Sequence, residues 1–183
     1  MEGQPTTTDQ ESLEGTSTDA TPPRPFKKPK TQTHVRVGVG VLVKDPSRPH
    51  AIFAGIRKGS HGAGSLALPG GHLELYESWK DCAIREIQEE MGLILVPDNI
   101  IFAHVTNDIM MSESKHYVTI FMMATCMEGA APKNMEPDKC EGWKSYTWQE
   151  LKNIHADPDQ PGLFGPLAKL MEEDPASVIE FLA

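Results

Sequence analysis

The chain has 183 residues, 39% of them hydrophobic, and a formal net charge of −9. That size and apolar content suffice for one proper core and leave little room for a second domain. The negative balance disfavours nucleic acid or an anionic membrane as a partner, and no run of about 18 apolar residues exists to span a bilayer.

From Met1 to about Lys30, Thr, Ser, Pro, Gln and acidic residues dominate, and Leu13 and Phe26 are almost the only large apolar side chains. Such a composition cannot bury enough surface to offset the entropy of folding. Residues 1–33 are therefore expected to form a disordered tail, and residues 34–183 one folded domain. The start of the chain does not read as a signal peptide, so a cytoplasmic protein is expected. Arg24-Pro-Phe-Lys-Lys-Pro-Lys30 reads first as a solvated linker and second as a nuclear localisation patch. The cysteines, Cys82, Cys126 and Cys140, are odd in number and lack Cys-x-x-Cys spacing, which disfavours a disulfide framework or a zinc site.

The folded part should open with a strand over Val35 to Val43, a β-rich run closed by Asp45-Pro46, and continue with a second over Ala51 to Ile56. Gly38 and Gly40 lie inside the first strand with no helix after it, so they are not a dinucleotide fingerprint. The glycine-rich loop Arg57-Lys-Gly-Ser-His-Gly-Ala-Gly64 lacks the Gly-Lys-Ser/Thr ending of a P-loop. Leu66 to His72 then supplies a short strand. Ile100 to Val105 and Tyr117 to Cys126 read as strands around a polar hairpin at Ser112 to Lys115. A last strand is expected around Trp143 to Trp148, and a C-terminal helix from about Leu163 to Glu172. Strands interleaved with two helices on opposite sides imply an α+β fold, a mixed sheet sandwiched between helices.

The densest chemistry lies between Gly71 and Leu93. Ser78 followed by Asp81 is a first-turn cap and Gly92 a left-handed stop, so Trp79 to Met91 should be a helix. At about 100° per residue, Trp79, Ala83 and Ile87 form an apolar stripe with Glu86 and Glu90 at its edge and Glu89 one step further round. Cys82 falls on the core side. Glu86, Glu89 and Glu90 stand at i, i+3 and i+4, so their carboxylates should crowd one patch and repel. A solvated face is the plain reading of such a run. A divalent cation would turn the repulsion into attraction, and clustered hard oxygens suit Mg²⁺ or Mn²⁺ shared with substrate phosphates.

Gly71, five residues, Glu77, seven residues, then Arg85-Glu86-Ile87-x-Glu89-Glu90-x-Gly92-Leu93 resembles the Nudix hydrolase signature at all nine defined positions. The resemblance implies the Nudix α/β/α sandwich and cleavage, by a metal-activated water, of a nucleoside diphosphate linked to another moiety. In family terms Glu86, Glu89 and Glu90 bind metal, and Arg85 holds a glutamate by salt bridge. Gly71 permits a sharp turn against the helix, and Glu77 and Gly92 complete the box, with Glu77 a supporting residue near the metals. A glutamate close to the metal can accept the proton of the attacking water.

Val-Gly-Val-Gly-Val at 37–41, Arg57-Lys58-Gly59-Ser60, Leu68 to His72, His116-Tyr-Val-Thr119 and Pro132 to Trp143 resemble a MutT-type subfamily. It contains plant Nudix hydrolase 1 and the animal nucleotide triphosphate diphosphatase. That implies hydrolysis of (deoxy)nucleoside triphosphates, including oxidised or modified purines such as 8-oxo-dGTP, to monophosphate and pyrophosphate. Arg57 and Lys58 would touch phosphates, while His72, Thr119, Phe164 and Leu167 would line the nucleoside pocket. Glu136, Asp138 or Glu141 would reach the metals from outside. Relatives' dimers make a homodimer an expectation, although no exposed apolar stripe in the sequence demands one. Gly165 stands where the subfamily has a tryptophan, which leaves room for another substrate such as an isoprenoid diphosphate. A non-catalytic nucleotide sensor is the third reading, which the intact carboxylate set disfavours.

Overall fold

The computed structural model describes residues 34–59 and 61–183. The tail expected over residues 1–33, its basic patch and Ser60 lie outside the described residues. Among the described residues, seven strands and four α-helices follow in order: β1 (Arg36–Lys44), β2 (Ala51–Arg57), β3 (Leu66–Ala67), β4 (Gly70–His72), α1 (Trp79–Met91), β5 (Ile101–Met110), β6 (Lys115–Thr125), β7 (Cys140–Thr147), α2 (Trp148–Ala156), α3 (Gly165–Glu173) and α4 (Ala176–Leu182).

The strands form one mixed sheet in the order β3-β2-β1-β6-β5, with β4 also paired to β1 and β7 to β2. β1 and β6 run parallel, with Val39 opposite Ile120, Val41 opposite Met122 and Val43 opposite Ala124. Because side chains alternate between faces, those six residues share one side of the sheet, where they bury Cys82, Ala83, Ile87 and Met91 of α1. Leu42, Phe121 and Met123 point the other way and meet Leu151 of α2, Leu167, Leu170 and Met171 of α3, and Val178 and Leu182 of α4. Helices thus cover both faces, as an α+β sandwich requires. Each fully buried aliphatic side chain in these clusters contributes roughly 1.5–3 kcal/mol.

α1 spans the predicted residues. The Ser78 hydroxyl accepts from the Asp81 amide at 3.1 Å, and Gly92 closes the helix with φ of 63°. Its apolar stripe differs from expectation at one end. Trp79 is about half exposed and its ring lies beside Phe102, with centroids 6.0 Å apart, so Cys82 and Met91 rather than Trp79 complete the buried face. β5 and β6 are longer than predicted, since the polar hairpin shrinks to a 3₁₀ turn at Met111–Glu113 followed by a left-handed Ser114. The C-terminal helix starts at Gly165 rather than Leu163, and α2 and α4 are additional to the two helices expected.

β5 is the outer strand of the sheet, and Ile101, Phe102, Val105 and Ile109 on it are exposed. Phe102, Val105 and Ile109 share one face, so this edge carries an exposed apolar stripe that the sequence reading did not identify.

Two glycines fix the approach of β4 to β1. Gly70 adopts φ of +140°, and a Cβ there would overlap the Val39 carbonyl oxygen and lie 3.0 Å from the Gly40 Cα. Both obstacles are backbone, so neither can rotate away. Gly70→Ala is expected to destabilise the fold by about 3 kcal/mol, combining backbone strain with overpacking. A chemical denaturation midpoint equal to wild type would contradict that placement of the loop.

Candidate active site

The β4 turn lies against α1 and brings its glycines to the glutamate row. Gly70 donates its amide to Glu90 Oε2 at 2.9 Å. Gly71 faces Glu86 so closely that an added Cβ would fall within the carboxylate, 2.5 Å from Oε2 and nearer still to the other atoms. The expected division of labour is thus corrected. Gly70, not Gly71, has the positive φ that turns the chain, and Gly71 instead vacates the space that Glu86 occupies.

Arg85 is the hub of the box. Its Nε and Nη2 donate to the two Glu77 oxygens at 2.8 and 2.9 Å, its Nη1 to Glu86 Oε1 at 2.7 Å, and its Nη2 to the His72 carbonyl at 3.2 Å. One guanidinium therefore ties the helix to both ends of the glycine loop, in the fork geometry that suits carboxylates. Glu77 also accepts from the Glu74 amide at 3.0 Å. These partners, Arg85 first, hold the Glu77 carboxyl down to about 2. Glu77 works through Arg85 and does not line the main cavity, whereas Glu74 does.

A group whose pKa is depressed on folding stabilises the protein above its unfolded value, here 4.5, and that contribution fades as pH falls towards about 2. Glu77→Gln is expected to lower the thermal midpoint by several degrees at neutral pH, and to flatten the acid limb between those two values. A pH series of melting curves measures both. Parallel curves for the two proteins would contradict the assignment.

The carboxylates do not crowd one patch as the helical spacing suggested. Glu86 turns to Arg85, Glu90 to the Gly70 amide, and Glu89 stays exposed, 3.5 Å from Arg85. Among the described residues no three His, Cys, Asp or Glu side chains stand in a ready-made metal site. Counter-cations and backbone donors occupy the carboxylates instead, and the repulsion inferred from spacing is relieved in that way.

Glu86, Glu89 and Glu90 nevertheless open onto one cavity of about 600 Å³. Glu74 and Glu136 join them on its acidic side, and Arg57, Lys58 and Lys139 also line it. Burial, with Glu86 and Glu136 adding negative potential, pushes the Glu90 carboxyl up to about 7, and burial raises Glu86 as well. Two carboxylates whose charged forms are disfavoured, among further carboxylates, form an oxygen-only donor set that a divalent cation would satisfy. Mg²⁺ or Mn²⁺ therefore fits the donor chemistry of these residues.

The opposite side of the cavity is apolar and aromatic, formed by Met110, Tyr117, Phe121, Phe164 and Leu167, with Thr119 among them. His72 lines it and its Nε2 lies 3.2 Å from the Tyr117 hydroxyl. The Arg57 guanidinium sits 4.4 Å above the Phe164 ring and donates to the His61 carbonyl, while Lys58 donates to the Pro137 carbonyl at 2.7 Å. His61 packs edge-on to Phe164 and bonds Glu113, linking the glycine-rich loop to the β5–β6 turn.

All the sequence-predicted pocket residues, Arg57, Lys58, His72, Thr119, Phe164 and Leu167, meet at this cavity, although Leu167 is also a core residue of the α3 face. Of the three outer acids considered, Glu136 lines it, and Asp138 and Glu141 do not. Sequence reading missed Glu74, His61, Asn134 and Lys139. Tyr117 was within reach, since it lies two residues before Thr119 and must share its face of the strand.

A NUDIX domain profile matches residues 34–169, and the chain belongs to the NUDIX family. An ADP-ribose pyrophosphatase of Methanocaldococcus jannaschii is 39% identical over 72 residues, which is 39% of this chain and 40% of that protein. The chain thus matches well under half the length of that relative. A MutT NUDIX hydrolase from Burkholderia pseudomallei superposes with a TM-score of 0.61 at 26% identity, covering 75% of this chain and 96% of that one. The NUDIX domain of Shewanella oneidensis NrtR, solved with ADP ribose, shares the fold at a TM-score of 0.60 and 18% identity, covering 86% and 95%.

Proposed function

We propose that this chain is a MutT-type Nudix hydrolase that converts (deoxy)nucleoside triphosphates, oxidised or modified purines included, to the monophosphate and pyrophosphate. One observation carries the reading: a single cavity has a carboxylate side suited to metal-bound phosphates and a side of aromatic and apolar side chains suited to a base. Such a cavity matches a ligand that is charged at one end and flat at the other.

Glu86, Glu89 and Glu90 would hold Mg²⁺ or Mn²⁺. When bound, the metal neutralises charge on the phosphate oxygens and lowers the pKa of a water. Arg85 keeps α1 and the glycine loop in register, so that the carboxylates keep their spacing. Arg57 and Lys58, which also line the cavity, bind anionic oxygens of the substrate. Phe164 and Tyr117 enclose the base and exclude water from it.

ADP-ribose is the second reading, favoured by the pyrophosphatase relative and by the NrtR domain's ligand. The test is product analysis by phosphorus NMR with Mg²⁺, offering nucleoside triphosphates, their 8-oxo forms, ADP-ribose and a prenyl diphosphate separately. Monophosphate plus pyrophosphate from the triphosphates supports the proposal. AMP from ADP-ribose with triphosphates left intact moves the assignment to the second reading, and turnover of the prenyl diphosphate alone defeats both.

A further inference from the structure

Beside the aromatic side lies a buried carboxylate that the box chemistry does not use. Asp108, Thr106 and Thr119 are the buried polar side chains of the described core. Both hydroxyls donate to the same oxygen, Asp108 Oδ2, from Thr106 at 3.0 Å and from Thr119 at 2.5 Å. The other oxygen, Oδ1, is buried with no partner among the described residues. A buried carboxylate oxygen without a partner is costly and needs a reason.

Position supplies one. Thr106 lies opposite Thr119 and Asp108 opposite Tyr117 in the antiparallel β5–β6 pair, so all four share one face of the sheet. Tyr117 and Thr119 line the cavity. Across β1, the residue opposite Thr119 is Gly38, which also lines the cavity and whose missing Cβ would lie 3.7 Å from Thr119 Oγ1. A larger residue at 38 would cover the hydroxyl, and glycine leaves it open.

A hydroxyl has one proton and two lone pairs. Asp108 accepts the Thr119 proton, so only lone pairs remain for a ligand. We infer that Asp108 is a positioning residue that fixes Thr119 as a hydrogen-bond acceptor in the base side of the cavity, and that the site thereby selects bases presenting an N–H donor. This rests on the nucleotide reading above and adds to it the polarity of the base pocket. Burial raises the Asp108 pKa, and a proton on Oδ1 would leave Oδ2 still accepting from both hydroxyls, so the polarity at Thr119 is the same in either state.

Calorimetric titration with GMP, AMP and purine riboside 5′-monophosphate tests the inference, since the last has the same ring shape and no base N–H. Wild type should bind GMP and AMP at least about tenfold more tightly than the donor-free analogue, the discrimination expected of one hydrogen bond to a desolvated acceptor. Thr119→Val should reduce that ratio to below about threefold, and Thr119→Ser should keep it. Asp108→Asn should reduce it too, because an amide can donate to Thr119 and turn its proton towards the ligand. Thr119→Ala replaces the valine variant if melting curves show the latter to be unfolded.

A wild type with no donor preference, or a valine variant that keeps the full ratio, overturns the inference. Hydrolysis followed in parallel separates the two claims. Donor-dependent binding without turnover defeats the proposed reaction alone, turnover without donor-dependent binding defeats the role of Asp108 alone, and absence of both binding and turnover defeats both.

Discussion

Glu90→Gln is expected to lower kcat by roughly 10²–10⁴-fold while leaving the fold intact, the range lost when a group that assists proton transfer or holds its metal is neutralised. The amide oxygen can still accept the Gly70 N–H that Glu90 accepts at 2.9 Å, and the volume scarcely changes. What disappears is a negative charge that burial, Glu86 and Glu136 already disfavour. Metal-free Glu90→Gln should therefore melt no lower than metal-free wild type at pH 8, where the wild-type carboxyl is ionised at a cost. An unfolded variant, or one with normal turnover, would contradict the assignment of Glu90.

Gly71→Ala is expected to cost activity out of proportion to stability. One methyl group placed inside the Glu86 carboxylate must drive that side chain away from the turn, and Arg85, which holds Glu86 at 2.7 Å, would be pulled with it. The obstacle is the end of a flexible side chain rather than backbone, so the fold should lose only about 1–2 kcal/mol. If Glu86 holds metal as proposed, displacing it by about an ångström should cost roughly a hundredfold in kcat/KM. Gly70→Ala is the contrast, because its obstacle is the Val39 carbonyl and its expected effect is on folding. A folded Gly71→Ala with wild-type kcat/KM would show that Glu86 does not need the position it holds.

α1 was legible because cap, stripe and stop agree. Ser78, Ala83, Ile87 and Gly92 each encode a local requirement that tertiary contacts reinforce. The resemblance at Gly71 to Leu93 also led to residues that do meet at one cavity, but not to their contacts. Helical spacing shows which carboxylates share a surface and cannot show that Arg85 and the Gly70 amide pull them apart. Those partners come from loop geometry and from residues before the helix. α2 was missed although Thr147-Trp-Gln-Glu150 has the sequence of a capping box, because the β-like run through Trp143 and Tyr146 ends directly in it. Trp79 read as core by its position on the helix, and it is about half exposed, with its ring beside Phe102 of the edge strand β5.

Asp108 was not legible at all. An aspartate within Thr106-Asn-Asp-Ile109 looks like the polar side of an edge strand, and only the pairing of β5 with β6 places it behind Thr119. Burial of a carboxylate is a tertiary event, and nothing local announces it.

The most direct measurement of the central claim is pyrophosphate release from a nucleoside triphosphate by wild-type protein and by Glu90→Gln, each with Mg²⁺ and after chelation. Release by wild type that stops on chelation and returns with Mg²⁺, and is absent from a folded Glu90→Gln, is the predicted result. Release that persists without metal or survives the substitution would contradict a carboxylate-held metal site on α1.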